Sequence, residues 1–186
     1  MKRRILSINP ECNVTLIHDF VNVDNMDEIF SEMGDVDALL DAIDGAAEKA
    51  ALIAACVDRQ IPVVTVAGAA GKVDPTKVMC DDMTRITGDK LIGACRRNLR
   101  KYHGFAQGKS FQETRKGRKC KRWNIPAVFS EEQQKEILNG NDVSSFRRCD
   151  GALGTACFVT GTFGFVAASK IVDLLASHDR RIPRRG

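Results

Sequence analysis

The sequence has few aromatic residues and no closely spaced pair of cysteines. Only 6% of its 186 residues are Phe, Trp or Tyr, so a hydrophobic core must consist mainly of Val, Ile, Leu and Ala. None of the seven cysteines forms a Cys-x-x-Cys pair, which argues against a paired zinc site. An odd number of cysteines without a secretory signal favours a reducing compartment. We therefore expect free thiols and a cytoplasmic location.

The apolar segment near the carboxyl end is short. Residues 153–168 contain sixteen consecutive uncharged residues, whereas a membrane-spanning helix needs roughly twenty. Lys170 and Asp173 interrupt its continuation. We expect a buried helix here rather than a membrane span.

Charge is distributed unevenly along the chain. Residues 1–95 carry 9 Lys and Arg against 16 Asp and Glu, and residues 96–186 carry 19 against 8. This excess of positive charge favours an anionic partner for the carboxyl-terminal half, such as a nucleic acid. Solvated loops and a basic tail would produce the same excess, so both interpretations stay open.

The first half alternates between strand and helix patterns. Short β-branched or apolar runs predict strands, and the alanine-rich segment between two of them predicts a helix because it contains no Gly or Pro. The predicted order is a strand at 14–17, a helix after Asp24-Asn25, a strand across 36–44, a helix over 46–59 and a strand over 61–66. This order indicates an α/β fold with a Rossmann-like, mostly parallel sheet flanked by helices.

In such a sheet the carboxyl ends of the parallel strands share one edge, where open α/β sheets bind ligands. Asp44 follows one predicted strand, and the turn Gly68-Ala-Ala-Gly71 follows the next. The sequence therefore predicts that both lie at the ligand-binding edge.

The second half is more irregular. We predict an extended piece over 74–79, an amphipathic helix over 89–102 and a strand over 123–129, followed by a helix start near Ser130. The segment between the helix and the strand contains seven Lys and Arg without apolar periodicity. We therefore divide the chain into a first part at 1–102, a basic mobile loop at 103–122, and a return to the same domain at 123–186.

Several of these segments carry a recognisable pattern. They are Asp41-Ala-Ile-Asp44, Ile61-Pro-Val-Val-Thr65, Gly68-Ala-Ala-Gly-Lys-Val-Asp-Pro-Thr76 and Val159-Thr-Gly-Thr-Phe-Gly-Phe-Val-Ala167. Together, and in this order, they resemble the ThiF/MoeB branch of the ubiquitin-activating-like adenylating enzymes, most closely the tRNA threonylcarbamoyladenosine dehydratases. The resemblance covers nearly the whole chain.

One feature of that family is missing. Its members open with a strand, a glycine-rich loop, a helix and a second strand that hold ATP, and this sequence contains no Gly-x-Gly-x-x-Gly. The chain resembles the carboxyl two thirds of such an enzyme. The expected fold is accordingly an amino-terminally truncated adenylation domain.

The resemblance implies ATP and Mg²⁺ as ligands. Asp44 would face the phosphates and their Mg²⁺, and its alternative role is to cap the following helix. Lys49 would approach the nucleotide or lie on the helix surface, Gly68 would belong to the nucleotide site, and Asp41 would be structural. The resemblance assigns no catalytic residue. Cys149 lies where relatives carry a cysteine, although an inert thiol is the simpler interpretation.

The implied reaction is the ATP-dependent adenylation and cyclisation of N6-threonylcarbamoyladenosine in tRNA. The implied partners are tRNA, a second copy of the chain in a homodimer, and a sulfur-transfer protein. Two alternatives stay open: a non-catalytic Rossmann-like remnant, and an activator of a ubiquitin-like or sulfur-carrier protein, which the absent cysteine pairs disfavour. The candidate tRNA surface comprises Arg96, Arg97, Arg100, Lys101, Arg118 and Lys119.

Overall fold

The computed structural model describes residues 1–107, 121–132, 154–177 and 182–186. A four-stranded sheet forms its centre, in the order β1-β2-β4-β3. Strands β1, β2 and β4 are parallel, whereas β3 is antiparallel to β4. The predicted α/β fold with a mostly parallel sheet is confirmed. The strands are β1 Leu39–Asp41, β2 Val63–Val66, β3 Val78–Asp82 and β4 Pro126–Ser130.

Five α-helices accompany the sheet in the described residues, and a 3₁₀ turn at Pro75–Lys77 leads into β3. The alanine-rich segment forms α3 as predicted. The predicted amphipathic helix begins where the Asp89 carboxylate accepts the Ile92 backbone N–H at 2.9 Å, a helix-capping contact. The helices are α1 Lys2–Ile8, α2 Met26–Met33, α3 Ala46–Asp58, α4 Lys90–Tyr102 and α5 Cys157–Ala176.

Helices cover the two faces of the sheet. Thr65 pairs with Asp41 in the neighbouring strand, and Lys49 of α3 binds both side chains, so these residues face α3. Side chains alternate along a strand, which directs Val64 and Val66 to the opposite face, where α5 contacts the sheet. Residues 63–65 of β2 are all buried for this reason.

One expectation for the amino-terminal region is wrong, and another holds only over a shorter range. Residues 14–17 form no strand, and Leu16 is 49% exposed, because no neighbouring strand pairs with this segment. Residues 2–8, for which no helix was predicted, form the short helix α1. The strand predicted across 36–44 is confined to Leu39–Asp41, the residues that pair with β2.

The expected buried helix near the carboxyl end is only partly buried. Helix α5 extends over 20 residues, longer than the uncharged run itself, and by length and composition it could cross a membrane. Val159, Phe163 and Ala167 form a buried stripe with a spacing of four. Phe165 is 81% exposed on the remaining face. The absence of a membrane span stays a prediction.

The ends of the predicted basic loop are packed. Phe105 is 2% exposed, and its ring lies 4.8 Å from that of Trp123, edge to face. The basic tail packs here too, because the Ala106 N–H donates to the Arg185 carbonyl at 2.8 Å and the Arg184 N–H donates to the Trp123 carbonyl at 2.8 Å. Residues 108–120 of the loop and the helix start expected near Ser130, from residue 133 onward, lie outside the described residues.

The one-sided packing of α5 predicts unequal mutational effects. Phe163→Ala removes a buried ring and should lower the free energy of unfolding by about 3–5 kcal/mol. Phe165→Ala removes an exposed ring and should change it by no more than about 0.5 kcal/mol. Urea unfolding of both variants measures the difference, and equal destabilisation would contradict this packing of α5.

Candidate functional site

The carboxyl ends of three parallel strands assemble one edge of the sheet. Asp44 lies three residues beyond the end of β1, and Gly68 lies two residues beyond the end of β2. Glu132 lies two residues beyond β4. Because these strands are adjacent and parallel, the loops that follow them share this edge. This confirms the strand-end placement predicted for Asp44 and Gly68.

A fully buried ion pair lies directly beneath this edge. The Lys49 ammonium is 2.7 Å from the Asp41 Oδ2, and both side chains have zero exposure. Thr65 Oγ1 donates to the same carboxylate oxygen at 2.7 Å, and Lys49 donates to Thr65 Oγ1 at 3.1 Å and to the Val66 carbonyl at 3.0 Å. This pair agrees with the structural role expected for Asp41.

The same contacts bear on both interpretations of Lys49. Its place on the helix surface is wrong, since α3 directs this side chain towards the sheet. The nucleotide contact stays a prediction. An ammonium has three N–H donors, and Asp41, Thr65 and Val66 engage all three, so a phosphate contact would require one of these bonds to open.

Asp44 is exposed, so a ligand or metal ion from solvent can reach its carboxylate. Helix α3 begins at Ala46 with Gly45 as its N-cap residue and no side-chain cap. Asp44 thus lies one residue before the N-cap position, and its capping of this helix stays an alternative. Among the described residues no group of three or more His, Cys, Asp or Glu could hold a metal ion. A Mg²⁺ at Asp44 would thus depend on oxygen ligands from phosphates and water, an arrangement that this ion commonly adopts.

The glycine turn after β2 is held from two sides. Gly71 has a positive φ of 72°, which glycine adopts without strain, and its N–H donates to the Gly154 carbonyl at 3.0 Å. A Cβ added at Gly68 would meet nothing closer than the Leu91 Cβ at 4.0 Å, so packing within this chain does not require glycine there.

Glu132 fixes the next part of the same loop. Its Oε2 accepts the backbone N–H groups of Val73 and Asp74, both at 2.9 Å. These hydrogen bonds, first that of Asp74 and then that of Val73, lower the pKa of the Glu132 carboxyl below its ordinary value of 4.5. The contact joins the end of β4 to the end of the glycine turn.

A second buried ion pair was not foreseen from the sequence. The Lys72 ammonium is 3.2 Å from the Asp89 Oδ2, and each side chain is 3% exposed. The ammonium also lies 5.6 Å from the centre of the Phe163 ring, an attractive geometry. Lys72 directly follows the glycine turn within the recognised motif, and that position was the available signal.

The predicted tRNA surface divides into inward and outward residues. Arg96 donates to the carbonyls of Met83 and Ile86 at 2.9 and 2.6 Å, and Arg100 donates to the Ala106 carbonyl at 3.3 Å. Arg97 and Lys101 are exposed on α4. Arg118 and Lys119 lie outside the described residues.

Two cysteines flank the Asp41–Lys49 pair. Burial raises the pKa of both the Cys56 and the Cys95 thiol to about 12, and the Asp41 carboxylate contributes to each shift. Both thiols therefore stay protonated and unreactive at neutral pH. Cys149 lies outside the described residues.

The mostly parallel sheet with helices on its faces is a Rossmann-like α/β fold. A family model described as "ThiF family" matches residues 1–184, and the chain belongs to this family.

Curated relatives share most of the chain. It is 34% identical over 177 residues to "tRNA threonylcarbamoyladenosine dehydratase" of Haemophilus influenzae, covering 94% of this chain and 63% of the relative. It is 35% identical over 178 residues to the protein of the same name from Escherichia coli, covering 91% of this chain and 62% of the relative. The chain thus spans less than two thirds of the length of these relatives.

Solved structures agree. Crystal structures of the E. coli enzyme, TcdA, in complex with AMP and with ATP superpose with a TM-score of 0.74 at 34% and 33% identity. Each match covers 97% of this chain and 64% of the solved chain. The similarity in structure therefore extends over the same portion as the similarity in sequence.

The Glu132 contacts predict an acid-sensitive turn. The folded chain holds this proton less tightly than the unfolded chain, so the two hydrogen bonds stabilise the turn above the ordinary Glu pKa and are lost as the pH falls through the lowered pKa. We expect the amide shifts of Val73 and Asp74 to titrate together by NMR with a midpoint below 4.5. In Glu132→Gln this joint titration should disappear; its persistence would assign it to another carboxyl group.

Proposed function

We propose that this chain provides part of an ATP-dependent tRNA threonylcarbamoyladenosine dehydratase, with the sheet edge around Asp44 and Gly68 as its nucleotide site. The observation that carries the proposal is the placement of an exposed carboxylate and a glycine turn at the ends of two adjacent parallel strands. The curated relatives bear this name, and a solved structure similar to this chain contains ATP.

The proposed chemistry activates a carboxylate. An oxygen of the threonylcarbamoyl carboxylate on tRNA adenosine attacks the α-phosphorus of ATP, and pyrophosphate leaves. The resulting acyl-adenylate has AMP as a good leaving group, whereas a free carboxylate is a poor electrophile. An internal nucleophile of the same substrate then closes a ring and releases AMP. No enzyme nucleophile is required, which agrees with the inert thiols of Cys56 and Cys95.

Asp44 is the proposed Mg²⁺ ligand. If Mg²⁺ binds with the nucleotide, Asp44 would hold it, and the ion would supply positive charge next to the phosphates. Asp44 supplies a hard oxygen ligand at the strand end, and the Gly68–Gly71 turn allows the backbone to come close to the nucleotide. Lys72 adds positive charge next to the turn, although Asp89 already pairs with it.

The outward side chains of α4 are the proposed tRNA contacts. Arg97 and Lys101 are one helical turn apart on α4, so one stretch of phosphate backbone can meet both. Arg96 and Arg100 bond inward to backbone carbonyls, and their contact with tRNA stays a prediction. The homodimer, the sulfur-transfer protein and the cytoplasmic location stay predictions.

Calorimetric titration of the chain with MgATP tests the nucleotide site. We expect saturable binding that depends on Mg²⁺. Asp44→Ala should lower the affinity about tenfold or more, because the metal loses its protein ligand. Asp35→Ala is the matched control, since Asp35 is exposed and precedes β1 at the opposite end of that strand.

The outcomes separate the alternatives. If this chain gives no binding heat while a full-length relative binds MgATP normally, the result would contradict ATP binding by this chain. It would favour the non-catalytic alternative. Equal affinities of Asp44→Ala and the parent would refute the role of Asp44 alone.

The tRNA surface predicts a salt-dependent effect. Arg97→Ala/Lys101→Ala should weaken tRNA binding and lower the slope of log affinity against log salt by about one for each phosphate that the variant no longer binds. Fluorescence anisotropy with labelled tRNA at several salt concentrations measures both. Lys77→Ala/Lys170→Ala removes equal charge from positions outside α4, and an equal effect there would argue against a specific surface on α4.

A further inference from the structure

The buried pair beneath the site contacts the backbone of both site loops. Asp41 uses Oδ2 for Lys49 and Thr65 and keeps Oδ1 for the Ile43 N–H, at 2.9 Å. Ile43 directly precedes Asp44. On the other side, Lys49 donates to the carbonyl of Val66 at 3.0 Å, two residues before Gly68.

Each polar group of the network is therefore satisfied in a way that fixes a loop. One carboxylate oxygen orients the Ala42–Ile43 peptide, next to Asp44, and one ammonium hydrogen orients the Val66–Ala67 peptide, next to the glycine turn. Thr65 joins the two, since its hydroxyl donates to Asp41 and accepts from Lys49. The path from one loop to the other runs through three side chains with zero or 1% residue exposure.

Stability alone does not explain such an arrangement. Well-packed apolar residues of similar volume are often as stabilising as a buried ion pair, because desolvation of the two charges offsets their attraction. Apolar side chains at these positions, however, could not bind the Ile43 N–H or the Val66 carbonyl. The polar groups thus provide directed contacts to the loops that packing could not replace.

We propose that Asp41, Lys49 and Thr65 are positioning residues. They hold the Ile43–Asp44 loop and the Ala67–Gly71 turn in the relative positions that nucleotide binding requires. This inference rests on the proposed function for the identity of the ligand. It replaces direct phosphate contact as the role of Lys49. The residue affects the site indirectly, by holding backbone groups of the site loops in place.

Two variants disrupt the hydrogen-bond network to different extents. Lys49→Met keeps the length of the side chain and removes all three donors. Thr65→Val is isosteric and removes only the hydroxyl that links the other two groups, which keeps the test available if Lys49→Met fails to fold. Thr65→Ser retains the hydroxyl and should restore the behaviour of the parent.

Asp82→Asn is the matched control. The Asp82 carboxylate is also buried and accepts the N–H groups of Asn124 and Thr84, at 2.7 and 3.0 Å. It pairs with Pro126 at the start of β4, the edge of the sheet opposite to the nucleotide site. Its loss should destabilise the fold without loosening the site loops.

Amide hydrogen exchange is the first measurement, because it needs no ligand. We expect the amides of Ile43, Ala67 and Gly71 to exchange about tenfold faster in Lys49→Met and Thr65→Val, after correction for global stability, and at the parental rate in Asp82→Asn and Thr65→Ser. Unchanged exchange in both network variants, or equal acceleration in Asp82→Asn, would overturn the inference.

MgATP titration of the same variants is the second measurement. The network variants should bind about tenfold more weakly than the parent, as expected for a misplaced site, and Asp82→Asn should bind like the parent. Faster loop exchange with unchanged affinity would overturn the role in nucleotide binding. If the parent itself does not bind MgATP, the proposed function fails for this chain, while faster loop exchange still supports the positioning of the loops.

Discussion

The pairing of Lys49 with Asp41 is the constraint on which the rest of this structure depends. A lysine with zero exposure is tolerated only with a full set of acceptors, and those acceptors come from β1 and β2. The pair therefore determines how α3 lies on the sheet and which residues of the strands face it. Removal of either partner would leave the other charge buried, at a cost of about 3–5 kcal/mol. The edge that holds Asp44 and Gly68 is built directly above this pair.

Regular periodicity made much of the fold predictable. The alanine-rich run became α3 and the apolar spacing of residues 89–102 became α4, since helix formation depends on local propensity and one buried stripe. The strand at 61–66 was placed to within two residues. The strand expected at 14–17 failed because a strand needs a neighbour to pair with, and a local pattern carries no information about that neighbour.

The candidate site was predictable as a location and less so as a set of contacts. The rule that the carboxyl ends of parallel strands share one edge of the sheet was sufficient to place Asp44 and the glycine turn together. It could not show that Lys49 turns inward or that Lys72 contacts Asp89. The partners are 8 residues apart in the pair Asp41–Lys49 and 17 residues apart in the pair Lys72–Asp89, so each contact depends on how the intervening elements pack. The basic residues of α4 illustrate the same limit: charge counts treat all four alike, whereas the packing of Trp123 and residues 83–86 directs Arg96 and Arg100 inward.

The packing of Trp123 has a practical consequence for spectroscopy. This residue is the single tryptophan of the chain, it is 1% exposed, and it is surrounded by Phe105, Arg100 and the Arg184–Gly186 segment. Its position just before β4 is at the opposite edge from Asp44. Intrinsic fluorescence therefore monitors docking of the terminal segment and global unfolding, and it is blind to occupancy at the glycine turn. Following a ligand there by fluorescence requires a dye or an introduced indole on the Asp44 side of the sheet.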